Sequence, residues 1–330
     1  MSLRIGVVGL GFGLQHVRTL ANLAEATLVA VADRNNDQID AVAQKYGATG
    51  YRDALEMIEK EPLDGLSICT APHTRNVLIQ AAAAKKLPML IEKPWAASVA
   101  QGKELEALCG DTLVMPAFSF RFHPVVTRLR ALMDGDLGAG WLLNGQYLFG
   151  WNPPADGWLW KPESGGGFFN ENSCHLLDVL CYLLGQPVSV QAEATNPQNS
   201  PSENAAALTI AFEKGAIAAV TLGGVGAGAW KETGRIDLVT QNGQARLSAR
   251  EHVWERLRWT TRGDSSLHEM TQTPEALGET RYSHGFRHFF HSIKTGEPPA
   301  ATIADGLRCV ALAEAIYQSA REGRKVSLSL

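Results

Sequence analysis

Short, continuously apolar runs alternate with stretches of helical spacing along the first third of the chain. "LRIGVVGLG" (3–11) is an apolar run closed by glycines, which predicts a buried strand entering a tight turn, and "LQHVRTLANL" after it has the spacing of a helix. "ATLVAVADR" (26–34) is a second such strand. Asp53 and Glu56 form a capping box that opens a helix, "LDGLSICTAP" returns as a strand, and "TRNVLIQAAAAKK" as a helix. "PMLIEKP" is a strand that Pro94 ends; Ser98 and Gln101 cap a further helix, and "DTLVMPAFS" closes the series as a strand. Continuous apolar strands separated by helices predict a parallel sheet covered on both faces.

Near residue 120 the texture changes. "VVTRLRALMDGDLG" (125–138) reads as an amphipathic helix, and strand-like segments then dominate: "GWLLNGQYLFG", "PVSVQAEAT", "AALTIAFEKGAIAAVTLGG", "GRIDLVTQNGQARLSA" and "VWERLRWT". "EKG" and "QNG" read as hairpin turns, the second through its Asn-Gly pair. Two helices end the chain. The pattern predicts an α/β chain of two domains: an α/β domain with a parallel sheet over 1–120, and an α+β domain over 121–330 with a large, mostly antiparallel open sheet. Helices cover one face of such a sheet, and an apolar second face marks a partner surface, so a homo-dimer or homo-tetramer through it is expected.

Composition narrows the class. At 330 residues, with 45% hydrophobic and 19% charged positions, the chain is an ordinary globular protein long enough for two domains. Its 30 basic and 34 acidic residues are interspersed, without the basic block of a nucleic-acid footprint. Five cysteines, an odd number without metal or disulfide rhythm, point to a reducing compartment. The apolar start is broken by Gln15, His16 and Arg18, and no run approaches the ~18 apolar residues of a membrane span. A cytoplasmic protein without nucleic-acid or membrane partners is the expectation.

Candidate chemistry begins at the first turn. Gly9, Gly11 and Gly13 follow the first strand, where glycine lets backbone approach a pyrophosphate and the next helix aims N–H groups at it. The spacing is G-x-G-x-G: the third position of the dinucleotide fingerprint is Leu14. Asp33, 22 residues after Gly11 at the end of the second strand, suits an adenosine ribose. Its charge repels a 2′-phosphate and favours NAD, while Arg34 beside it keeps NADP possible. Lys93 of "EKP" ends a strand at the edge where ligands bind α/β sheets, a place that also suits a solvated lysine. In "GGGFFNENSCHLLD" (165–178), Glu171 and His175 fall four apart, on one face of a helix running on through "HLLDVLCYLLG". Glu171, His175 and Asp178 share that side while Cys174 turns away, and no metal is expected there. Standing alone, the pair reads better as a satisfied core histidine and its neighbour.

In this order, with "FSFRFHP" (118–124) opening the second domain and "FFHSIKTGEPP…ADGLRCVALAEAIYQSAREGRKVSL" closing it, these motifs resemble the glucose-fructose oxidoreductase / inositol dehydrogenase (Gfo/Idh/MocA) family over essentially the full length. The resemblance implies an NAD(P)-dependent oxidoreductase that moves hydride between nicotinamide and a sugar, polyol or cyclitol hydroxyl. It places Lys93 beside the nicotinamide and the substrate oxygen, makes His175 the general base, and gives Glu171 an orienting role, so Lys93, His175 and Glu171 are the expected catalytic set. Cofactor contacts are expected at Gly9, Gly11, Phe12, Gly13, Asp33, Arg34, Thr70, Pro72, Asn76, Glu92 and Lys93. Substrate contacts are expected at Lys93, Arg121, Trp158, Lys161, Glu171 and His175, with His123 a further candidate and Trp151 and Trp160 in the same aromatic stretch. Departures from the family pattern are Asn76 in place of a histidine, Ser173 in place of a glycine, and Glu171 in place of an aspartate, a longer side chain that moves its carboxylate by about an ångström. Three other functions share the pattern: glycoside cleavage through transient oxidation by bound NAD, reduction of an imine or tetrapyrrole, and a nucleotide-binding regulator without turnover. Tyr282 and His284 lie in a stretch without a clear periodicity.

Overall fold

The computed structural model describes residues 2–273 and 279–328. They divide into two compact units: one runs to Phe118 and includes a later piece ending at Leu307, and the other starts at Ser119 and takes up the chain again at Arg308.

In the first unit, strands β1 (Leu3–Val8), β2 (Ala26–Ala32), β3 (Thr49–Tyr51), β4 (Gly65–Ile68), β5 (Met89–Ile91) and β6 (Val114–Pro116) alternate with helices α1 (Leu10–Leu20), α2 (Asn36–Tyr46), α3 (Ala54–Lys60), α4 (Asn76–Ala84) and α5 (Val99–Cys109). All pairings are parallel, in the order β3-β2-β1-β4-β5-β6. This doubly wound order reverses between β1 and β4, and the crevice at that point is where such sheets take dinucleotides. The strands are unbroken apolar runs because helices bury both faces: Ile5, Val7, Leu66, Ile68, Met89 and Ile91 are fully buried. Ser98 caps α5 as expected by accepting the Gln101 N–H; Asp53 caps α3 through the Leu55 N–H, but Glu56 pairs with Lys60 instead of closing the expected box. Two boundaries differ. β1 stops at Val8 and α1 starts at Leu10, so Gly11 and Gly13 lie inside the first helix rather than in a turn before it. β3 is only three residues long, too short for any periodicity to show.

The second unit holds α6 (Pro124–Asp134), β7 (Gly140–Leu148), α7 (Phe168–Glu171), α8 (Cys174–Leu184), β8 (Pro187–Thr195), β9 (Ala205–Phe212), β10 (Ile217–Gly223), β11 (Glu232–Thr240), β12 (Gly243–Arg250), β13 (Val253–Thr261) and β14 (Asp264–Thr271). Near the end of the chain follow α9 (Ser283–Thr295), α10 (Ile303–Glu322) and β15 (Val326–Ser327). Among the described residues the second sheet has nine strands, ordered β14-β13-β12-β11-β7-β10-β9-β8-β15, and only the β7–β10 pair is parallel. Strict alternation sets its inner face. Ala218, Val220 and Leu222 of β10 face the core with Leu208 and Ile210 of β9, while Ile217, Ala219, Thr221 and Thr209 face outward. Leu176, Leu177, Val179 and Leu180 of α8 fill the same core, each fully buried apolar side chain being worth about 1.5–3 kcal/mol. In the second hairpin the turn residues are Gln241 and Asn242, and Gly243 already belongs to β12. A Cβ there would stand 2.1 Å from the Thr260 carbonyl oxygen, so close approach to β13 explains this glycine.

The expected division at 120 also needs correcting, because not everything after it belongs to the second unit. The stretch holding α9 returns to the first, where Phe289 and Ile293 pack on Gly65 of β4 and Thr280 bonds Thr19 of α1. An amphipathic helix shows that it has an apolar face, but not which sheet receives it. Among the described residues no helix is long and apolar enough to cross a membrane.

Candidate active site

In the first unit the chemistry-bearing residues gather at the carboxyl edge of β1, β2, β4 and β5. Gly9 ends β1 at φ 87°, a conformation costly for residues with a side chain, and a Cβ there would lie 3.1 Å from the Thr70 nitrogen. The Leu10 N–H then donates to Asp33 Oδ2 at 2.5 Å, while Asp33 Oδ1 accepts the Asn35 N–H at 2.9 Å. Asp33 therefore fastens the start of α1 to the end of β2, and its half-buried carboxylate keeps lone pairs for a ribose. At Gly11 a Cβ would meet nothing within 4 Å, so the first turn of α1 opens outward. Gly13 does the opposite: its Cβ would stand 3.2 Å from Cys69 Cβ and 3.3 Å from Val7 Cγ1. It performs the close helix–sheet packing of the fingerprint's last glycine, one residue early. Thr70 Oγ1, at the end of β4, is buried without a hydrogen-bond partner among the described residues. A helix start with unpaired N–H groups, an open Gly11 and an orphaned hydroxyl fit the phosphates of a dinucleotide.

The other expected cofactor residues divide. Phe12 and Arg34 are exposed, and the Phe12 ring meets those of His16 and Tyr282 edge-on. The Pro72 carbonyl and Asn76 Oδ1 both accept from Gln101 Nε2, which ties them to α5. Glu92 is turned inward. Its Oε1 lies 2.8 Å from His16 Nε2 and its Oε2 accepts the backbone N–H of Lys93 at 3.0 Å, so the expected cofactor contact is an internal one. Burial opposes the charged imidazole, but the Cys69 sulfur and the Glu92 carboxylate outweigh it and raise His16 to about 10. Burial likewise opposes the Glu92 carboxylate, which His16, Lys93 and Arg75 nevertheless hold below its usual range. Lys93 itself is 8% exposed and precedes a cis peptide to Pro94.

Sequence reasoning missed two residues here. His16 read as a polar break in an apolar stretch, yet it is fully buried. Arg75 stood only as one residue of the helical stretch "TRNVLIQAAAAKK"; it too is buried, with Nε and Nη2 donating to the Thr70 carbonyl and Nη1 to those of Pro94 and Trp95. Burial lowers its pKa to about 10. It clamps the turn after β4 to the turn after β5. No local pattern signals this, since a lone arginine beside a helix start is usually solvated.

In the second unit the expected continuous helix under Glu171 and His175 is broken. α7 ends at Glu171 and α8 starts at Cys174, with Asn172 and Ser173 between them, so the two side chains do not sit on one regular face. Glu171 Oε2 accepts from Asn172 Nδ2 at 2.5 Å, and the Cys174 thiol bonds the Glu171 carbonyl. His175 lies in the first turn of α8, 7% exposed, its ring stacked on Phe120 at 4.6 Å and 21°. On Phe120's other neighbour, His123, the ring is stacked at 5.6 Å; its Nδ1 accepts the Trp254 N–H, which makes it a core histidine. Arg121 is also internal: Nε donates to Asp178 Oδ2 at 2.9 Å, Nη2 to Oδ1, and both residues are buried. That places its fork on the α8 carboxylate rather than on a substrate. Trp151 and Trp160 pack on each other at 4.3 Å, and Trp160 Nε1 donates to the Pro153 carbonyl; Trp160 is buried, while Trp151 is half-buried against the core. Trp158 is half-buried and Lys161 exposed. The glycine run fits against this loop: a Cβ on Gly166 would lie 2.2 Å from the Trp158 carbonyl oxygen. Tyr282 precedes α9 in the first unit, its hydroxyl accepting from Arg281, and His284 Nε2 lies 3.4 Å from Glu279 Oε2.

A doubly wound domain with a dinucleotide cradle, joined to an open antiparallel sheet, defines a class of two-domain oxidoreductases. Family models described as oxidoreductase family, NAD-binding Rossmann fold, and oxidoreductase family, C-terminal alpha/beta domain, match residues 3–117 and 130–328. The chain belongs to this Gfo/Idh/MocA family, and its first domain is an NAD-binding Rossmann fold. It is 27% identical to D-apiose dehydrogenase of Paraburkholderia graminis, over 98% of this chain and 88% of that one. It is 26% identical to myo-inositol 2-dehydrogenase of Thermotoga maritima, over 99% and 98%. An oxidoreductase from Agrobacterium radiobacter, solved with NAD+, L-tartaric acid and magnesium, shares the fold at TM-score 0.84 and 22% identity, over 99% and 98% of the two chains.

Proposed function

We propose that the protein is an NAD(P)-dependent dehydrogenase acting on a CH–OH group of a sugar, polyol or cyclitol. One observation carries this reading: the cradle at Gly9, Gly11 and Thr70 is intact in a chain whose full-length relatives are named for apiose and myo-inositol. Bound NAD(P)+ supplies the hydride acceptor. His175 takes the hydroxyl proton as the carbon becomes a carbonyl. Lys93 holds the substrate oxygen and Glu171 orients a neighbouring hydroxyl, with Trp158 and Lys161 as further substrate contacts. The aromatic wall narrows to Trp158, since Trp151 and Trp160 are occupied with each other.

A panel of sugars and cyclitols offered with NAD+ and NADP+ tests the reading, followed at the nicotinamide absorbance band. At least one polyhydroxyl substrate is expected to reduce the cofactor. No reduction with any alcohol, together with glycoside cleavage by protein carrying bound NAD, would replace the reading with transient oxidation. NAD is expected to bind more tightly than NADP, because Asp33 at the end of β2 meets a 2′-phosphate as a like charge. Quenching of protein fluorescence measures both affinities. Asp33→Ala should narrow the gap, and tighter NADP binding would transfer the reading role to exposed Arg34.

Assembly and location complete the proposal. The outer face of the nine-stranded sheet exposes Leu142 and Ile217, paired across β7 and β10, beside small residues such as Ala219, which suits a dimer or tetramer through that face. Light scattering at micromolar protein that returned a mass near 35.6 kDa would overturn this. None of the five cysteines is in a disulfide, which suits a reducing compartment such as the cytoplasm.

A further inference from the structure

We infer that His16 and Glu92 are positioning residues for Lys93, a buried pair that links the dinucleotide-binding helix to the strand end carrying the lysine. The inference rests on the proposed role of Lys93 and concerns residues of the first unit alone.

The imidazole is fixed on every side. Its Nδ1 lies 2.7 Å from Ser67 Oγ on β4 and its Nε2 lies 2.8 Å from Glu92 Oε1 just beyond β5. Around the ring stand Phe12 at 6.1 Å, Tyr282 at 5.8 Å and Phe286 at 5.1 Å. Glu92 has no freedom either, because its second oxygen accepts the N–H of the residue that follows it. A carboxylate bonded to the next amide restrains the backbone between them, and that backbone aims Lys93. On the other flank, the Pro94 carbonyl is held by buried Arg75. Lys93 is thus bracketed: a cation from α1 secures the residue before it through a carboxylate, and a cation from the turn before α4 secures the residue after it. Its four-carbon stem is flexible, so a fixed base narrows the space its ammonium sweeps. Net stability is a poor reason to keep such a pair, since buried ion pairs are often matched by apolar residues of the same volume. Placement is the better one.

Asparagine and glutamine separate the two bonds of His16. Asparagine puts an amide where Nδ1 stands and keeps the Ser67 contact; glutamine puts one where Nε2 stands and keeps the Glu92 contact. A misplacement of about 1 Å can cost about 10²-fold in rate. His16→Asn is therefore expected to lower kcat by about ten- to a hundredfold with KM changed by less than about threefold, and His16→Gln to keep kcat within about threefold of the parent. A second readout needs no turnover. Trace acetylation of Lys93 by acetic anhydride, scored by peptide mass spectrometry against exposed Lys103, should change at least about threefold in His16→Asn and stay unchanged in His16→Gln. This arm decides the inference even if no substrate of the panel is oxidised, an outcome that counts against the proposed function alone. Where His16→Asn does not fold, Glu92→Ala, which removes the carboxylate bonded to both His16 and the Lys93 N–H, takes its place with the same expected loss. Equal impairment of both His16 variants in both arms would make the pair merely structural, and a His16→Asn protein indistinguishable from the parent would remove it from the site altogether.

Discussion

His175→Ala is expected to lower kcat by about 10²–10⁴-fold, the usual contribution of a general acid–base group, while the affinity for NAD stays within about threefold. His175 sits at the start of α8, held by ring stacking on Phe120 rather than by adenosine-binding elements, so its loss should leave the dinucleotide cradle intact. Steady-state rates with the substrate found in the panel, and fluorescence titration with NAD, give the two numbers. A loss below tenfold would return His175 to the role of a packing residue on Phe120. A matching fall in NAD affinity would point instead to a general collapse. Restoring part of the rate at high pH would support the role as base, because hydroxide can take over the proton that the imidazole no longer accepts.

The second large effect concerns stability. Asp178→Ala leaves the buried guanidinium of Arg121 without its carboxylate, and is expected to destabilise the fold by about 3–5 kcal/mol. The cost is high because the orphaned charge cannot reach water, whereas an exposed pair such as Lys60–Glu56 is screened by solvent and contributes little. Urea unfolding of the two proteins measures the difference. Replacing both partners together, Arg121→Met with Asp178→Leu, should recover most of the loss, since it is the unpaired charge that costs. A single substitution that shifts unfolding by less than about 1 kcal/mol would show that water reaches Arg121.

Most of the fold was legible because burial has a period. Unbroken apolar runs such as Ile5–Val8 and Leu66–Ile68 announce strands covered on both faces, and the alternation in Ala205–Phe212 announces one covered face. The places of Gly9, Asp33 and Lys93 were legible because each stands just past the end of a strand that the pattern locates. What stayed hidden depends on partners far along the chain. Glu92 finds His16 across 76 residues, and Arg121 finds Asp178 across 57, so a motif reading assigned Glu92 and Arg121 to ligands. Arg75 was hidden for the same reason. The break between α7 and α8 was hidden for another: Asn172 and Ser173 are tolerated inside helices, and nothing in "FNENSCHLL" reveals that they interrupt one.

The return of α9 to the first unit bears on how the protein is made. Phe289 and Ile293 cover Gly65, but a ribosome delivers them some 170 residues after Phe118 ends the N-terminal stretch of that unit. At about 5–20 residues per second, the nascent first unit waits about 10–30 s with that part of its sheet uncovered. The second unit's sheet emerges in that interval. The domain that begins synthesis first is therefore completed late, and during the delay the surface of β4 that Phe289 and Ile293 will cover faces water.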